Sequence, residues 1–474
     1  MPTPLLIGAD QVNTGTSSAI ISPYDDSVVG EVYVGDASHL RRAIDAAQHA
    51  FEAATRRQPA FERGVVLSRL AVAIEQQRAE FVRLIVAEAG KPHALADAEV
   101  TRAVGTFTIA AELARQTPGH LLDVDAFASG RGHVGLVRRF PIGVIYGITP
   151  FNFPLNLVAH KVAPALASGN TIIIKPSPQT PLTALLLGRL ALEAGAPAGQ
   201  LNVVTCSNDD AGVPLGDERV KMVSFTGSAA VGWKIKALSG QKRVALELGG
   251  NAAAIVHEDA SLDVAIPALA TGSFSYAGQS CISTQRIFVH APVYDAFRTR
   301  FIAQVRDHIK TGDPRDRTVT VGPMINSAAL TRIRGWIDAA CAAGAKILHG
   351  GTAVGNCLEA TVIEVPHQQF ELCRQEAFAP IVTLQRYASF EEALNEVNLS
   401  RYGLQTGVFT QDIGRAYKAF EQLDVGGVLI NQAPTFRADN QPYGGVKDSG
   451  FGREGVRYAM EEMTELKSLI VRMA

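Results

Sequence analysis

Apolar and polar positions fall in blocks along this chain, and the blocks predict most of its elements. Over residues 36–56, Leu40, Ile44, Ala47, Phe51 and Ala54 recur at helical spacing, with Arg41 and Arg42 on another face. The same periodicity predicts helix over 62–84 and 94–115. Between 120 and 139, Gly130, Gly132 and Gly135 interrupt short apolar pieces, which predicts a hairpin or an extended arm. Short apolar, β-branched runs at 144–148, 171–174, 201–204, 222–225 and 244–248 then alternate with helical patterns at 155–167, 182–194 and 229–238. Such alternation predicts a parallel, doubly wound sheet, which binds ligands at the carboxyl ends of its strands.

Beyond Asn251 the pattern continues with helices over 262–273, 293–309, 328–343 and 391–397, a strand over 286–290 and a polar loop over 311–322. A second α/β domain is therefore expected to start near Gly250. Residues 443–455 read as a glycine-rich loop, and 466–471 as an apolar terminal strand suited to pairing with another subunit.

Composition narrows the class. The chain has 474 residues, 47% of them hydrophobic and 19% charged, enough for a large core in two to four domains. A net charge of -2 provides no basic surface for nucleic acid. Cys206, Cys281, Cys341, Cys357 and Cys373 are scattered and odd in number, so neither a disulfide framework nor a cysteine metal site is expected. No metal is called for, and a reducing cytoplasm suits the thiols. The uncharged run 140–159 is long enough to suggest a membrane span, but Pro141, Pro150, Pro154, Asn152 and Asn156 turn the reading to strand, turn and helix. Residues 1–16 lack a basic start and an apolar stretch, so no secretory signal is expected.

Two stretches carry candidate chemistry. Gly278-Gln279-Ser280-Cys281 places a thiol in a small-residue turn. Leu246-Glu247-Leu248-Gly249-Gly250-Asn251 ends an apolar strand in a carboxylate, whose burial demands a partner, a raised pKa or a function. Taken alone, Cys281 reads first as a small buried apolar residue. Together the two suggest covalent chemistry through sulfur finished by hydrolysis. Phe225-Thr226-Gly227-Ser228 makes a strand-to-helix turn whose amides can hold a phosphate, or simply a structural turn. Lys175, in Ile174-Lys175-Pro176-Ser177, is either a ribose or phosphate contact or a solvated strand end. Thr149-Pro150-Phe151-Asn152-Phe153-Pro154 pins an asparagine in a rigid turn, as an oxyanion donor or as a satisfier of its own backbone.

In this order, and with Arg374-Gln375-Glu376-Ala377-Phe378-Ala379-Pro380 and Pro442-Tyr443-Gly444-Gly445 following, the motifs resemble the aldehyde dehydrogenase superfamily over essentially the whole chain. The resemblance implies an α/β fold of two doubly wound, Rossmann-like domains plus a small β oligomerisation arm. The dinucleotide-binding domain would take 1–119 and 141–248, the catalytic domain 249–448, and the arm 120–140 and 449–474. It implies Cys281 as nucleophile, Asn152 as oxyanion donor and Glu247 as general base for deacylation. Cofactor contacts would come from Thr149, Pro150, Lys175, Ser177, Phe225, Gly227, Ser228, Leu248, Glu376 and Phe378. Arg102, Phe153, Ser280, Arg437 and Tyr443 would meet the substrate, although Arg102 and Arg437 read equally as structural ion pairs.

The implied activity is NAD- or NADP-dependent oxidation of a small polar aldehyde, most like the lactaldehyde and glycolaldehyde branch, by a homodimer or homotetramer. A semialdehyde or glyceraldehyde-3-phosphate-type substrate is the alternative, and a cofactor-independent cysteine esterase is the alternative of another class. Many NAD-preferring members carry a glutamate where Pro178 stands, so this chain admits NADP. Ser280, where branches acting on phosphorylated aldehydes often carry arginine, argues against a dianionic substrate.

Overall fold

The computed structural model describes residues 1–116 and 119–473. Thr117, Pro118 and Ala474, within the assigned segments 1–119 and 449–474, lie outside the described residues.

The predicted alternation forms an eight-stranded sheet. Its parallel centre runs, edge to edge, through Leu201–Val203, Thr171–Lys175, Val144–Ile148, Val220–Thr226 and Arg243–Glu247. Both faces are apolar because the strands are buried on both sides. Ile145, Ile172 and Ile174 point into one core with Leu166 and Leu187, while Tyr146, Ile173 and Leu246 point into the other with Leu40 and Ile44. Helices Asn156–Ala167 and Leu182–Glu193 cover the first face, and Ala37–Ala53 covers the second. The uncharged run at 140–159 thus divides into a buried strand, a turn and the start of a helix. Among the described residues no helix is long and apolar enough to cross a membrane.

Strand order reverses between Val144–Ile148 and Val220–Thr226, whose successors lead away on opposite sides. Register then aligns the carboxyl ends: Ile148 lies opposite Lys175 and Phe225, and Thr226 opposite Glu247. A crevice at such a switch point is where open α/β sheets take ligands.

A second, seven-stranded sheet holds Ala253–Val256 at its own reversal, between Arg286–His290 and Gln405–Phe409, with only its Lys346–His349 edge antiparallel. Gly119–Leu122, His133–Pro141 and Thr464–Arg472 form a separate three-stranded antiparallel arm.

Two readings need correction. The helix expected over 62–84 is two helices, Ala60–Gln76 and Arg78–Ala89, because Gln77 leaves helical geometry at φ -99, ψ 17. The segment 449–474 is not all arm. Gly450–Phe451 pairs with Arg243–Glu247 at the edge of the first sheet, and Val456–Glu462 packs on the core beneath it through Val456 and Ala459. Only Thr464–Arg472 joins the arm hairpin.

Candidate active site

Between the two sheets lies a cavity of about 390 Å³. Its wall gathers Cys281, Glu247 and Asn152 with Pro150, Gly227, Ser228, Leu248, Glu376, Phe378, Arg102, Phe153, Ser280, Arg437 and Tyr443. Four other sequence candidates, Thr149, Lys175, Ser177 and Phe225, are buried at or near the carboxyl ends of the first sheet's central strands but do not line this cavity.

Cys281 is delivered by an unusual turn. Tyr276, Ala277 and Gly278 all adopt left-handed backbone, at φ 55, 53 and 64, which non-glycine residues rarely do. Gly278 is required: a Cβ there would stand 2.1 Å from the Ala379 carbonyl oxygen. The half-buried Cys281 thiol hydrogen-bonds the Tyr443 hydroxyl at 3.1 Å. Burial pushes its pKa up to about 12, against a smaller opposing effect of Tyr443. Asn152 donates from Nδ2 to the Gln279 carbonyl at 3.0 Å, which ties its amide to the cysteine turn.

Glu247 ends its strand with Oε2 buried and, among the described residues, unpartnered. Burial first, and then the neighbouring Glu454, raise its pKa well above the carboxylate range. Glu454 takes the opposite course. Burial opposes its charge, but Lys161 and Arg437 hold it down to about 2. The Lys161 ammonium donates to Glu454 Oε1 at 3.1 Å, Ser224 Oγ at 3.0 Å and Thr226 Oγ1 at 2.8 Å. Of the two carboxyls, Glu454 therefore keeps the charge and Glu247 the proton.

Both arginines are ion-paired, and both line the cavity. Arg102 donates to Asp439 from Nη2 at 2.6 Å and Nε at 3.3 Å, leaving Nη1 unspent. Asp439 also bonds His160 Nε2 at 2.9 Å. Arg437 donates to Glu454 at 3.3 Å and lies over the Tyr443 ring at 3.7 Å. Phe153 is clamped from below, with the Lys91 ammonium 3.5 Å from its ring centre. Lys91 pairs with Glu99, whose Oε1 accepts the Leu155 and Asn156 amides at 2.9 and 3.0 Å.

On the other side of Cys281, Glu376 accepts the Gly250 amide at 3.1 Å, and burial pushes its pKa up to about 7. Gly249 makes this possible, since a Cβ there would lie 2.3 Å from Glu376 Oε2. Phe378, at φ 49, meets the edge of Phe151 with ring centres 5.8 Å apart. Ser228 precedes helix Ala229–Leu238 without capping it, so the first-turn amides stay unspent by its side chain. Lys175 donates to Asn208 Oδ1 at 3.0 Å, and burial lowers its pKa.

Sequence reasoning missed Lys161, His160, Asp439, Glu454, Arg332 and Asn208. A signal existed for two of them: His160 and Lys161 interrupt an otherwise apolar helix and are 1% exposed. The structure also gathers His257, Glu258 and His290 away from this cavity, as a metal-type ligand set that the sequence reading did not single out. The two imidazoles stack at 4.3 Å and 10°, with His257 Nδ1 spent on the Tyr387 hydroxyl.

The model of the Aldehyde dehydrogenase family matches residues 11–469. The chain is 40% identical over 448 residues to aspartate-semialdehyde dehydrogenase 1 of Pseudomonas canavaninivorans, covering 94% of this chain and 95% of that one. It is 38% identical over 461 residues to lactaldehyde dehydrogenase of Methanocaldococcus jannaschii, covering 95% and 96%. Aldehyde dehydrogenase 21 from Physcomitrella patens, solved with the reaction product succinate, superposes with a TM-score of 0.97 at 40% identity, covering 100% and 99%. The glyceraldehyde-3-phosphate dehydrogenase GapN of M. jannaschii, complexed with NADP, gives 0.93 at 37% identity, covering 97% and 100%. A match of that extent, on a fold whose sheet ends bring the cysteine, carboxylate and asparagine motifs to one cavity, means that this chain belongs to the aldehyde dehydrogenase family.

Proposed function

We propose that the protein oxidises a short polar aldehyde, of the lactaldehyde or glycolaldehyde kind, to its carboxylic acid with NAD or NADP. The observation that carries this reading is the convergence of Cys281, Glu247 and Asn152 on one cavity wall. The residues present fit a dinucleotide: an uncapped helix start after Ser228, the buried Lys175 at the carboxyl end of a central strand, and a buried carboxyl at Glu376 cradled by Gly249 and Gly250. When bound, the cofactor supplies the hydride acceptor.

The chain's own groups do the rest. The Cys281 thiol gives its proton to solvent, and its sulfur adds to the aldehyde carbon, so a C–S bond forms and the carbonyl π pair moves onto oxygen as an oxyanion. The Asn152 amide and the Cys281 backbone N–H donate to that oxygen. Loss of hydride leaves a thioester on Cys281. Glu247, once ionised, takes a proton from water, whose oxygen attacks the thioester. The C–S bond breaks, and acid and thiol are released.

The charge balance supports a substrate with a polar handle. Both arginines already face a carboxylate, yet Arg102 spends only Nη2 and Nε on Asp439, and Arg437 Nε is buried without a partner among the described residues. A free guanidinium nitrogen suits a hydroxyl. It also favours a second reading, a semialdehyde whose carboxylate takes that nitrogen, in keeping with the relatives that act on aspartate semialdehyde or hold succinate. The arm, with Leu466, Leu469 and Ile470 exposed, supports a homodimer or homotetramer.

The test is a panel of lactaldehyde, glycolaldehyde, succinic semialdehyde and glyceraldehyde 3-phosphate with each cofactor, read as nicotinamide reduction. Lactaldehyde or glycolaldehyde should give the highest kcat/KM, and Cys281→Ala should abolish turnover while cofactor still binds. Turnover of esters without nicotinamide reduction on any aldehyde would overturn the reading.

A further inference from the structure

At the root of the arm, away from the catalytic cavity and sharing no residue with it, lies a second cavity of about 440 Å³. Six arginines line it: Arg56, Arg57, Arg63, Arg138, Arg139 and Arg457. They face one carboxylate, Glu461. Nothing in the composition prepares for this, since the chain has 44 basic and 46 acidic residues. Elsewhere its arginines are mostly matched: Arg78, Arg219 and Arg315 each hold two carboxylates.

Five of the six are held by uncharged partners or by none. Arg63 donates to the Ala167 carbonyl at 2.9 Å and the Gln58 carbonyl at 2.5 Å. Arg139 donates to the Glu461 carbonyl at 3.2 Å and Thr464 Oγ1 at 3.3 Å. Arg457 reaches Glu461 Oε1 at 3.5 Å. Among the described residues, the Arg56 and Arg138 guanidiniums make no hydrogen bond or ion pair and lie 6.0 and 5.8 Å from the Phe51 and Phe140 ring centres, and Arg57 has no carboxylate within ion-pair distance. Like charges gathered in a concave site repel, and the low-dielectric walls focus their field. A multiply charged anion relieves that repulsion, and guanidinium forks match phosphate oxygens.

We propose that this cavity binds a small polyanion carrying two or more phosphate groups. Its size suits a nucleotide or a short polyphosphate. The site draws on the short turn Thr55–Arg57, the helix Ala60–Gln76, the arm and the helix Val456–Glu462, so it exists only in the folded chain.

The test is titration calorimetry on the full-length protein with NAD+ saturating, using inorganic tripolyphosphate and, separately, ATP. Wild type should bind tripolyphosphate, and its affinity should fall as NaCl rises. Arg57→Glu combined with Arg138→Glu, both exposed side chains, should weaken binding at least tenfold, with aldehyde turnover and solution mass unchanged. Tighter binding of ATP would assign the site to nucleotides, and equal binding to the phosphate chain alone. No heat with wild type, or equal affinity in the double variant, overturns the proposal. So does a lower solution mass in that variant, because carboxylates of a second copy would then be the occupants.

Discussion

Gly278→Ala tests whether the left-handed turn places the nucleophile. In wild type the residue sits at φ 64, where an added Cβ would come 2.1 Å from the Ala379 oxygen, 2.7 Å from its carbon and 3.3 Å from Pro380 N. These are backbone atoms, so no side chain can swing aside. Restoring ordinary contact near 3.4 Å needs a shift of roughly 1.3 Å. The left-handed conformation costs alanine about 1–2 kcal/mol, and relieving the overlap about 1–3 kcal/mol more. The shift separates the turn that carries Cys281 from the strand entry that follows Glu376. A displacement near 1 Å at the reacting atom costs about 10²-fold in rate. We expect kcat to fall at least that far, with a raised KM for the cofactor and a lower Tm. Steady-state kinetics and thermal unfolding check this. Gly335→Ala is the control, because it lies in helix Ser327–Ala342 with nothing within 4 Å of the added Cβ, and it should be neutral or slightly stabilising. If Gly278→Ala kept kcat within threefold, the turn would not be what positions the sulfur.

Glu247→Gln should retain the first burst of nicotinamide reduction and slow the steady phase by about 10²–10⁴-fold, the usual loss of a general base; loss of the burst itself would remove Glu247 from deacylation. Asn208→Asp places a carboxylate on Lys175 Nζ, where Asn208 Oδ1 now accepts at 3.0 Å, and should lower kcat/KM for NADP relative to NAD at least tenfold; an unchanged ratio would place the 2′-position elsewhere. Cys281 and Glu247 are both acids whose pKa lies above its ordinary value, the thiol at about 12, and both act deprotonated. Activity must then grow as pH rises, so kcat/KM should climb from about pH 6 to 9 without a descending limb. A profile flat across that range would contradict the burial argument.

What the sequence could show follows from how local each signal is. The first sheet was legible because its strands are apolar on both faces, as in Ile172, Ile173 and Ile174, and proline or glycine turns follow most of them. Much of the second sheet was not. Ala253–Val256 and Thr361–Glu364 are four residues long, too short for a period, and Gln405–Phe409 opens on two polar residues that are buried. The candidate nucleophile, base and oxyanion donor were legible as motifs, since each needs a particular backbone beside it. Their electrostatics were not, because the partners are remote in sequence. Arg102 and Asp439 stand 337 positions apart, and Lys161 and Glu454 293. Thr205-Cys206-Ser207-Asn208 shows why this matters. As a string it names no ligand, yet its last residue holds the lysine of the neighbouring strand. Register decides that contact: Ile174 lies opposite Val203, so the chain leaving that strand passes beside Lys175. Substitutions in such a turn act on the cofactor end of the site through a side chain that no motif names, so preference between NAD and NADP can change while every catalytic motif stays intact.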